Sequence, residues 1–381
     1  MIKLSASSIR AFKACPIRFL YNYIYRLRKI RETELQRVGS NWHKCMEILS
    51  WTPGTPCPEC ASKDLFQCPV CGVENGTLPD NHLEMITNYL GFVYDEAPVT
   101  KDPVDLAIER NKILYSLMGY LEYYGDIEQE YETIATEVPF KILVYDEKGK
   151  PIRGVVLVGK IDRILKDNKD NYYIMEHKST SYPIDSDSTY WGNLELDTQT
   201  LLYLYAATRL ARKGKLKRVP KDVMFKTLYD VWHKPRISAK FLSQKDTKAF
   251  LKNGKYYGMD FSVAYPDDKY IVNGIEAEIK HGKKADAIRE TPAMYGARLL
   301  ADVKTNPHNH FVRKPLPRNL DVIKAFENEL RNIANNILYM KRTNSFFSNE
   351  QQCEATFKCD FIDSCYTRHS IGPDEIPDGF E

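Results

Sequence analysis

Apolar residues recur along this chain in two rhythms. In SSIRAFKACPIRFLYNYIYRL, residues Ile9, Phe12, Phe19, Leu20 and Tyr23 keep the spacing of an amphipathic helical hairpin broken near Pro16, and Ser7 or Ser8 is placed to cap its first helix. NWHKCMEIL, NHLEMITNYLGFVYD and VDLAIERNKILYSLMGYLEYYGDI read as further helices. The period then shortens. TEVPFKILVYD, IRGVVLVGKIDRILK and YYIMEHKS, separated by the turn segments EKGKP and DNKDN, predict an antiparallel meander of three strands. After it come a helix in LDTQTLLYLYAATRLARK, a strand in DVMFKTLYDVW and a long helix in LDVIKAFENELRNIANNILYMKR. These patterns divide the chain into N-terminal helices at 1–50, a Pro-, Gly- and Cys-rich insertion at 51–80, a main α/β core with helical and basic insertions at 81–345, and a cysteine-rich end at 346–381.

Composition narrows the class. The chain has 381 residues, 43% of them hydrophobic, enough for a real core. A net charge of +3 means that any nucleic-acid surface is a local patch balanced by acid elsewhere. No apolar run approaches the roughly 20 residues of a membrane span, and the start lacks the apolar centre of a signal peptide, so the expected location is the cytoplasm. Nine cysteines in such a compartment suit metal ligation better than disulfides. There is no P-loop signature, hence no encoded ATP-driven motor.

The chemistry concentrates in GKIDRILKDNKDNYYIMEHKST, residues 159–180. Two apolar runs end in Asp162 and in Glu176 and Lys178, groups that a core rejects unless they have a task. Alternation along a strand puts Glu176 and Lys178 on one face and His177 on the other, and a hairpin about DNKDN brings Asp162 to the same end. Two carboxylates of this kind suit Mg²⁺ or Mn²⁺, with Lys178 beside them to orient water or stabilise a phosphoryl transition state. The plain alternative is a surface hairpin ending in a Glu–Lys pair.

The order G-x-I-D-R-I, a short turn, then an apolar strand ending E-x-K resembles the PD-(D/E)XK nuclease superfamily in its RecB-like branch. The upstream VGSNWHKCMEIL offers His43 in a matching G-x-x-x-H setting. DTQTLLYLYAA matches the branch's Q-x-x-x-Y helix through Gln199 and Tyr203, an i, i+4 pair on one helical face. The resemblance implies a restriction-endonuclease-like fold with a mixed central sheet flanked by helices. It implies Asp162, Glu176 and Lys178 as the catalytic set, His43, Asp162 and Glu176 as ligands of Mg²⁺ or Mn²⁺, and Gln199 and Tyr203 near the DNA backbone. Glu137 is a weaker candidate, assisting the site or facing solvent on an edge strand.

Two cysteine groups remain. Some RecB-like nucleases, including the AddB subunit and the CRISPR-adaptation nucleases, clasp an iron–sulfur cluster with one early and three late cysteines, which here correspond to Cys15, Cys353, Cys359 and Cys365. Such a 4Fe–4S centre would staple distant parts of the chain. The C-x₅-C gap between Cys353 and Cys359 is wider than the family pattern, which leaves zinc or unligated thiols as alternatives. In CPECASKDLFQCPVC, two C-x₂-C hooks offer Cys57, Cys60, Cys68 and Cys71 to a tetrahedral Zn²⁺. No family feature assigns this knuckle a role. Cys45 reads as a buried spectator.

Candidate phosphate contacts are RKGKLKRVPK (Arg212 to Lys221), Lys234 and Arg236, and Arg313, Lys314 and Arg318. The stretch YGARLLADVKTNPHNHFVRKPLPRN also resembles phage-encoded members of the superfamily. Together these point to a DNA exonuclease acting on ends or single strands in replication, recombination or repair, in a bacterial or phage-infected cell, with a recombination, replication or helicase protein as a partner. Competing readings are a CRISPR-adaptation nuclease and a non-catalytic DNA-binding assembly factor with structural metal centres.

Overall fold

The computed structural model describes residues 1–30, 33–62, 68–72, 76–96, 101–125, 130–282, 285–355, 358–367 and 371–381. Its centre is a six-stranded sheet. The strands are β1 (Ile2–Leu4), β2 (Tyr131–Ile142), β3 (Val155–Asp167), β4 (Tyr172–Thr180), β5 (Phe225–His233) and a final strand Phe311–Leu316. The predicted meander is present, with β3 antiparallel to both β2 and β4. β5 then joins β4 in parallel and the final strand is antiparallel to β5, so the sheet is mixed. β1, too short for a sequence pattern to reveal, pairs in parallel with the start of β3, which makes the first residues part of the core sheet rather than of a purely helical segment.

Helices cover both faces, which is why β4 is buried along most of its length. One layer contains α1 (Ala6–Ala14), and Cys15 separates it from the short α2 (Pro16–Phe19). Ser5, not Ser7 or Ser8, caps α1. Its hydroxyl accepts from the Ser8 backbone N–H while the Ser8 hydroxyl accepts from the Ser5 N–H, a reciprocal box that satisfies two otherwise orphaned donors. A π-helical turn, Leu20–Tyr25, follows α2. The opposite layer begins with α3 (Glu34–Leu49), capped by a similar Thr33–Gln36 box. Next come α4 (Pro58–Ser62) in the cysteine insertion, α5 (His82–Asp95) and α6 (Pro103–Tyr124). Between β4 and β5 lie α7 (Thr189–Glu195) and α8 (Thr198–Arg212). After β5, α9 (Gln244–Asn253) belongs to a small module of short hairpins, and α10 (Pro292–Thr305) leads back to the sheet. The long α11 (Leu320–Thr343) and short α12 (Ile362–Tyr366) complete the chain.

The two largest apolar clusters among the described residues lie on the two faces of the sheet. Side chains of α1, α8 and α11 pack on one face of the sheet, around Leu157, Ile161 and Ile174. On the other face α3, α5, α6 and α10 enclose Trp42 and Trp232, whose rings stack at 4.0 Å. α6 and α10 approach closely through Gly119, where a Cβ would lie 2.2 Å from Val303. The C-terminal segment is laced to the N-terminal helices. Ile17 N–H donates to Phe347 O, the Asn349 amide donates to Ala14 O, and Arg28 and Glu381 exchange both backbone hydrogen bonds. Among the described residues no helix is long and apolar enough to cross a membrane.

Candidate active site

The site forms where a ladder opens. β3 and β4 pair from Lys166↔Tyr172 to Arg163↔Met175, and the next partners in that register would be Asp162 and Glu176. No ladder pair forms there, because β4 turns away with β5, to which it stays paired through Thr180↔His233. The two acids therefore stand at the crotch of a fork, with backbone groups released from sheet pairing. Asp162 uses this freedom by accepting from the His177 backbone N–H. On the other side of β3, Glu137 lies opposite Asp162 between the pairs Thr136↔Arg163 and Val138↔Ile161, with φ of 51° in the left-handed region. A non-glycine residue held there stores backbone strain. Glu137 is thus part of the site rather than facing solvent, and three carboxylates run abreast across three strands.

Burial gives these acids their character. Glu176 is 0% exposed. Neither of its oxygens has a well-aligned hydrogen bond, although Lys178 Nζ forms an ion pair with Oε1 at 2.9 Å. Burial raises the Glu176 pKa, with Lys178 opposing it. Asp162 is held well above the usual carboxylate range, first by desolvation and then by the charges of Glu176 and Glu137. Carboxyls raised in this way need a cation to ionise fully.

Lys178 is a buried cation held by three acceptors: Glu176, Asp197 Oδ2 at 3.1 Å and Gln199 Oε1 at 2.9 Å. Burial works to lower its pKa, but Glu176 and Asp197 outweigh that and the net shift is upward, so it remains an ammonium. Gln199 also donates to the Tyr203 hydroxyl at 3.3 Å, so the predicted helical pair is one relay ending on Lys178. Asp197, unmarked by any sequence pattern other than its place before α8, both caps that helix and anchors the lysine.

His43 reaches the site from α3. Burial first, then His177, Lys178 and Lys234, lower its pKa to about 3, so it is a neutral imidazole at ordinary pH. That is the form able to ligate a metal. α3 lies against β4 at Gly39, one turn before His43, where a Cβ would meet Ser179 Oγ at an ordinary contact distance of 3.4 Å. A cleft of about 140 Å³ is lined by His43, Glu47, Glu137 and Asp162 among others. The hard oxygen donors, the neutral histidine and Glu176 Oε2, buried with no hydrogen bond, fit a divalent cation. Even so, among the described residues only Cys57, Cys60, Cys68 and Cys71 bring three or more donor atoms all within 4.8 Å of one another.

Behind the site a second network fixes β4. His177 Nδ1 pairs with Asp230 Oδ2 at 2.8 Å, Tyr120 donates to the same oxygen at 2.6 Å, and Arg313 Nε meets Oδ1 at 3.1 Å. The Arg313 guanidinium also lies 3.9 Å from the Tyr124 ring centre. Arg313 is therefore an internal ion-pair partner and not a phosphate contact. The same correction applies to Arg318, buried on Glu195 and the Leu194 carbonyl, and Lys314 lies over the Trp191 ring.

The cysteine knuckle is compact. Cys57–Cys68 and Cys60–Cys71 sulfurs are 3.7 and 3.4 Å apart, close to the ~3.8 Å edge of a tetrahedron with 2.3 Å zinc–sulfur bonds. Glu59, between two of these cysteines, binds Lys44 at 2.7 Å, and Lys44 binds Glu47 on the rim of the cleft at 3.3 Å. Cys15, Cys353, Cys359 and Cys365 gather where the two ends of the chain are laced together. Burial first and then the neighbouring thiols raise the pKa values of Cys353 and Cys365. Cys45 is buried within α3.

No curated protein matches the chain. The family model described as the PD-(D/E)XK nuclease superfamily matches residues 3–366. With its mixed sheet flanked by helices and two acids and a lysine at the mouth of a strand fork, the chain belongs to the PD-(D/E)XK nuclease superfamily.

Proposed function

We propose that this nuclease is a DNA exonuclease of the RecB-like branch, acting on ends or single strands during replication, recombination or repair. The observation that carries the reading is the juxtaposition of Asp162 and Glu176 where their ladder opens, with Lys178 bonded to Glu176 at 2.9 Å. His43, Asp162 and Glu176 are the residues that would hold Mg²⁺ or Mn²⁺. When bound, the ion supplies Lewis-acid polarisation of the scissile phosphate and a more acidic water. Lys178, kept charged by Asp197 and positioned by Gln199, offsets negative charge on the phosphoryl oxygens as the bond breaks. Tyr203, through Gln199, fixes that geometry, and both border the path of the DNA backbone.

Zinc suits the Cys57–Cys71 knuckle, because a single ion needs thiolates at the spacing found there. Cys15, Cys353, Cys359 and Cys365 lie near enough to perturb one another electrostatically, and a 4Fe–4S centre is the group we assign to them. The segments 1–50, 51–80, 81–345 and 346–381 then serve as metal-site helix, zinc knuckle, catalytic core and cluster-bearing end. A helicase, recombination or replication protein is the expected partner.

Digestion of end-labelled single- and double-stranded DNA with Mg²⁺ and with Mn²⁺ tests this. Loss of terminal label that depends on the ion and vanishes in Lys178→Ala is the expected result. DNA left intact by the wild-type chain with either ion would falsify the enzyme reading.

A further inference from the structure

The module between β5 and α10 has no part in the catalytic set, yet it carries most of the chain's basic excess. Residues 234–291 contain twelve Lys and Arg against eight Asp and Glu, leaving forty-two against forty-three in the rest of the chain. It is rooted at the active-site end of the sheet. β5 leaves its pairing with β4 at His233, two residues beyond Val231, the partner of Lys178. The next residue, Lys234, donates to the Leu35 carbonyl of α3 and lies near enough to His43 to lower its pKa. Arg236 donates to Ser181 just past β4.

Within the module a cleft of about 500 Å³ is lined by Lys240, Phe241, Phe250, Lys255, Tyr256 and Tyr257 among others. Its floor is rigid. Tyr256 donates to Glu290 at 2.7 Å, and Glu290 is gripped by Arg298 at 2.5 and 2.7 Å. Its mouth is aromatic and exposed: Tyr257 is 52% exposed and Phe241 37%. Exposed Lys245, Lys248 and Lys252 on α9 add to the positive field of Lys240 and Lys255.

Tyr257 occupies a costly position. The hairpin Lys255↔Asp260, Tyr256↔Met259 closes through Tyr257 at φ 46° and Gly258 at φ 80°. Two central residues with positive φ make a turn that favours Asn, Asp or Gly at the first place. A tyrosine there stores strain in order to hold a large ring at the cleft mouth, and strain of this kind points to use.

We infer that this cleft binds single-stranded nucleic acid, with unpaired bases stacking on Tyr257 and Phe241 and phosphates held by Lys240 and Lys255. The inference rests on the DNA reading above and deepens it. Lys234 and Arg236, bonded beside the catalytic fork, open the segment that leads into the module. Flat rings framed by ammonium groups suit a chain of bases and phosphates, because every base has a face to stack and every linkage a negative charge.

Anisotropy of a fluorescein-labelled oligothymidine on the full chain tests this, with calcium as the divalent ion and label integrity checked on a gel. Tyr257→Asn suits the turn better than tyrosine, so its melting temperature equals or exceeds that of the wild type. Its affinity falls roughly 5- to 150-fold, the range for loss of one base–aromatic stack. An abasic oligomer, which keeps phosphates and lacks rings, binds both proteins alike. Lys240→Gln with Lys255→Gln reduces the slope of log affinity against log salt by about 1.4, whereas Tyr257→Asn leaves that slope unchanged. Unchanged oligothymidine affinity in a folded Tyr257→Asn chain overturns the proposal, as does an equal loss for the abasic oligomer. A wild type that binds proteins but no oligomer overturns it as well. Cleavage by the same proteins separates the two readings. Hydrolysis with undiminished Tyr257→Asn binding sinks the cleft alone, and lost binding in a chain that never hydrolyses DNA sinks the nuclease reading alone.

Discussion

Asp230→Asn removes one charge from the network behind β4 while keeping its shape. Asp230 and Arg313 are 3% and 8% exposed at their side chains, so the variant takes a carboxylate charge away from a buried guanidinium. Breaking such a buried pair from one side costs about 3–5 kcal/mol. For a chain of 381 residues, the unfolding entropy near 60 °C is about 0.8 kcal/mol per kelvin, so the melting temperature falls by about 4–6 °C. Arg313→Met in the same chain removes the cation that lost its carboxylate and recovers part of the loss. The gap between wild type and variant also depends on pH. Burial opposes ionisation of Asp230, but Arg313 and His177 outweigh it and hold the carboxyl well below its usual range. A depressed carboxyl contributes stability that is fully present above its unfolded value of about 3.9 and is lost as pH falls through the folded one. Scanning calorimetry of the three proteins from neutral pH into acid is the assay. A shift under about 1 °C for Asp230→Asn, or a gap that closes near neutrality instead of below about pH 4, would refute the reasoning.

Three further outcomes are expected. His43, lowered by burial to about 3, is neutral when folded and takes up a proton below about 6.5 when unfolded. The wild type therefore loses about 2 kcal/mol between pH 7 and pH 5 that His43→Gln retains, as urea midpoints would reveal. Gly119→Ala places a Cβ 2.2 Å from Val303 and costs about 1–3 kcal/mol in the same titration; adding Val303→Ala relieves it. Metal analysis of the purified chain finds zinc, and Cys68→Ser lowers both zinc content and melting temperature, whereas equal values in the two proteins would remove zinc from the knuckle.

Local signals were legible where the pattern itself carried them. Alternation and turn residues located β2, β3 and β4, and the hooks Cys57/Cys60 and Cys68/Cys71 located a donor group that the fold does assemble. Gln199 and Tyr203 were found as a helical pair, and the structure links them to Lys178. What stayed hidden depends on distant contacts. Asp197 looks like an ordinary helix cap until the fold brings Lys178 to it. Arg313 looks like a phosphate contact until Asp230, 83 residues away, is seen to hold it. Three residues of β1 carry no period, and only pairing with Val155–Leu157 makes them a strand. The fork is likewise invisible in either strand alone, since it arises from a competition that β5 wins for the end of β4.

The lacing between the two ends sets a timetable for the ribosome. Ile17, Ala14 and Arg28 emerge long before their partners Phe347, Asn349 and Glu381. At about 5–20 residues per second this separation lasts roughly 20–70 seconds. Throughout that interval Ile17, Ala14 and Arg28 lack these partners, although α8 and β3, on which α1 and β1 pack, have already emerged. Closure of this lacing is then a late step of synthesis, and a chain stopped before Phe347 should keep its first helices on α8 and β3 without the bonds that tie them down.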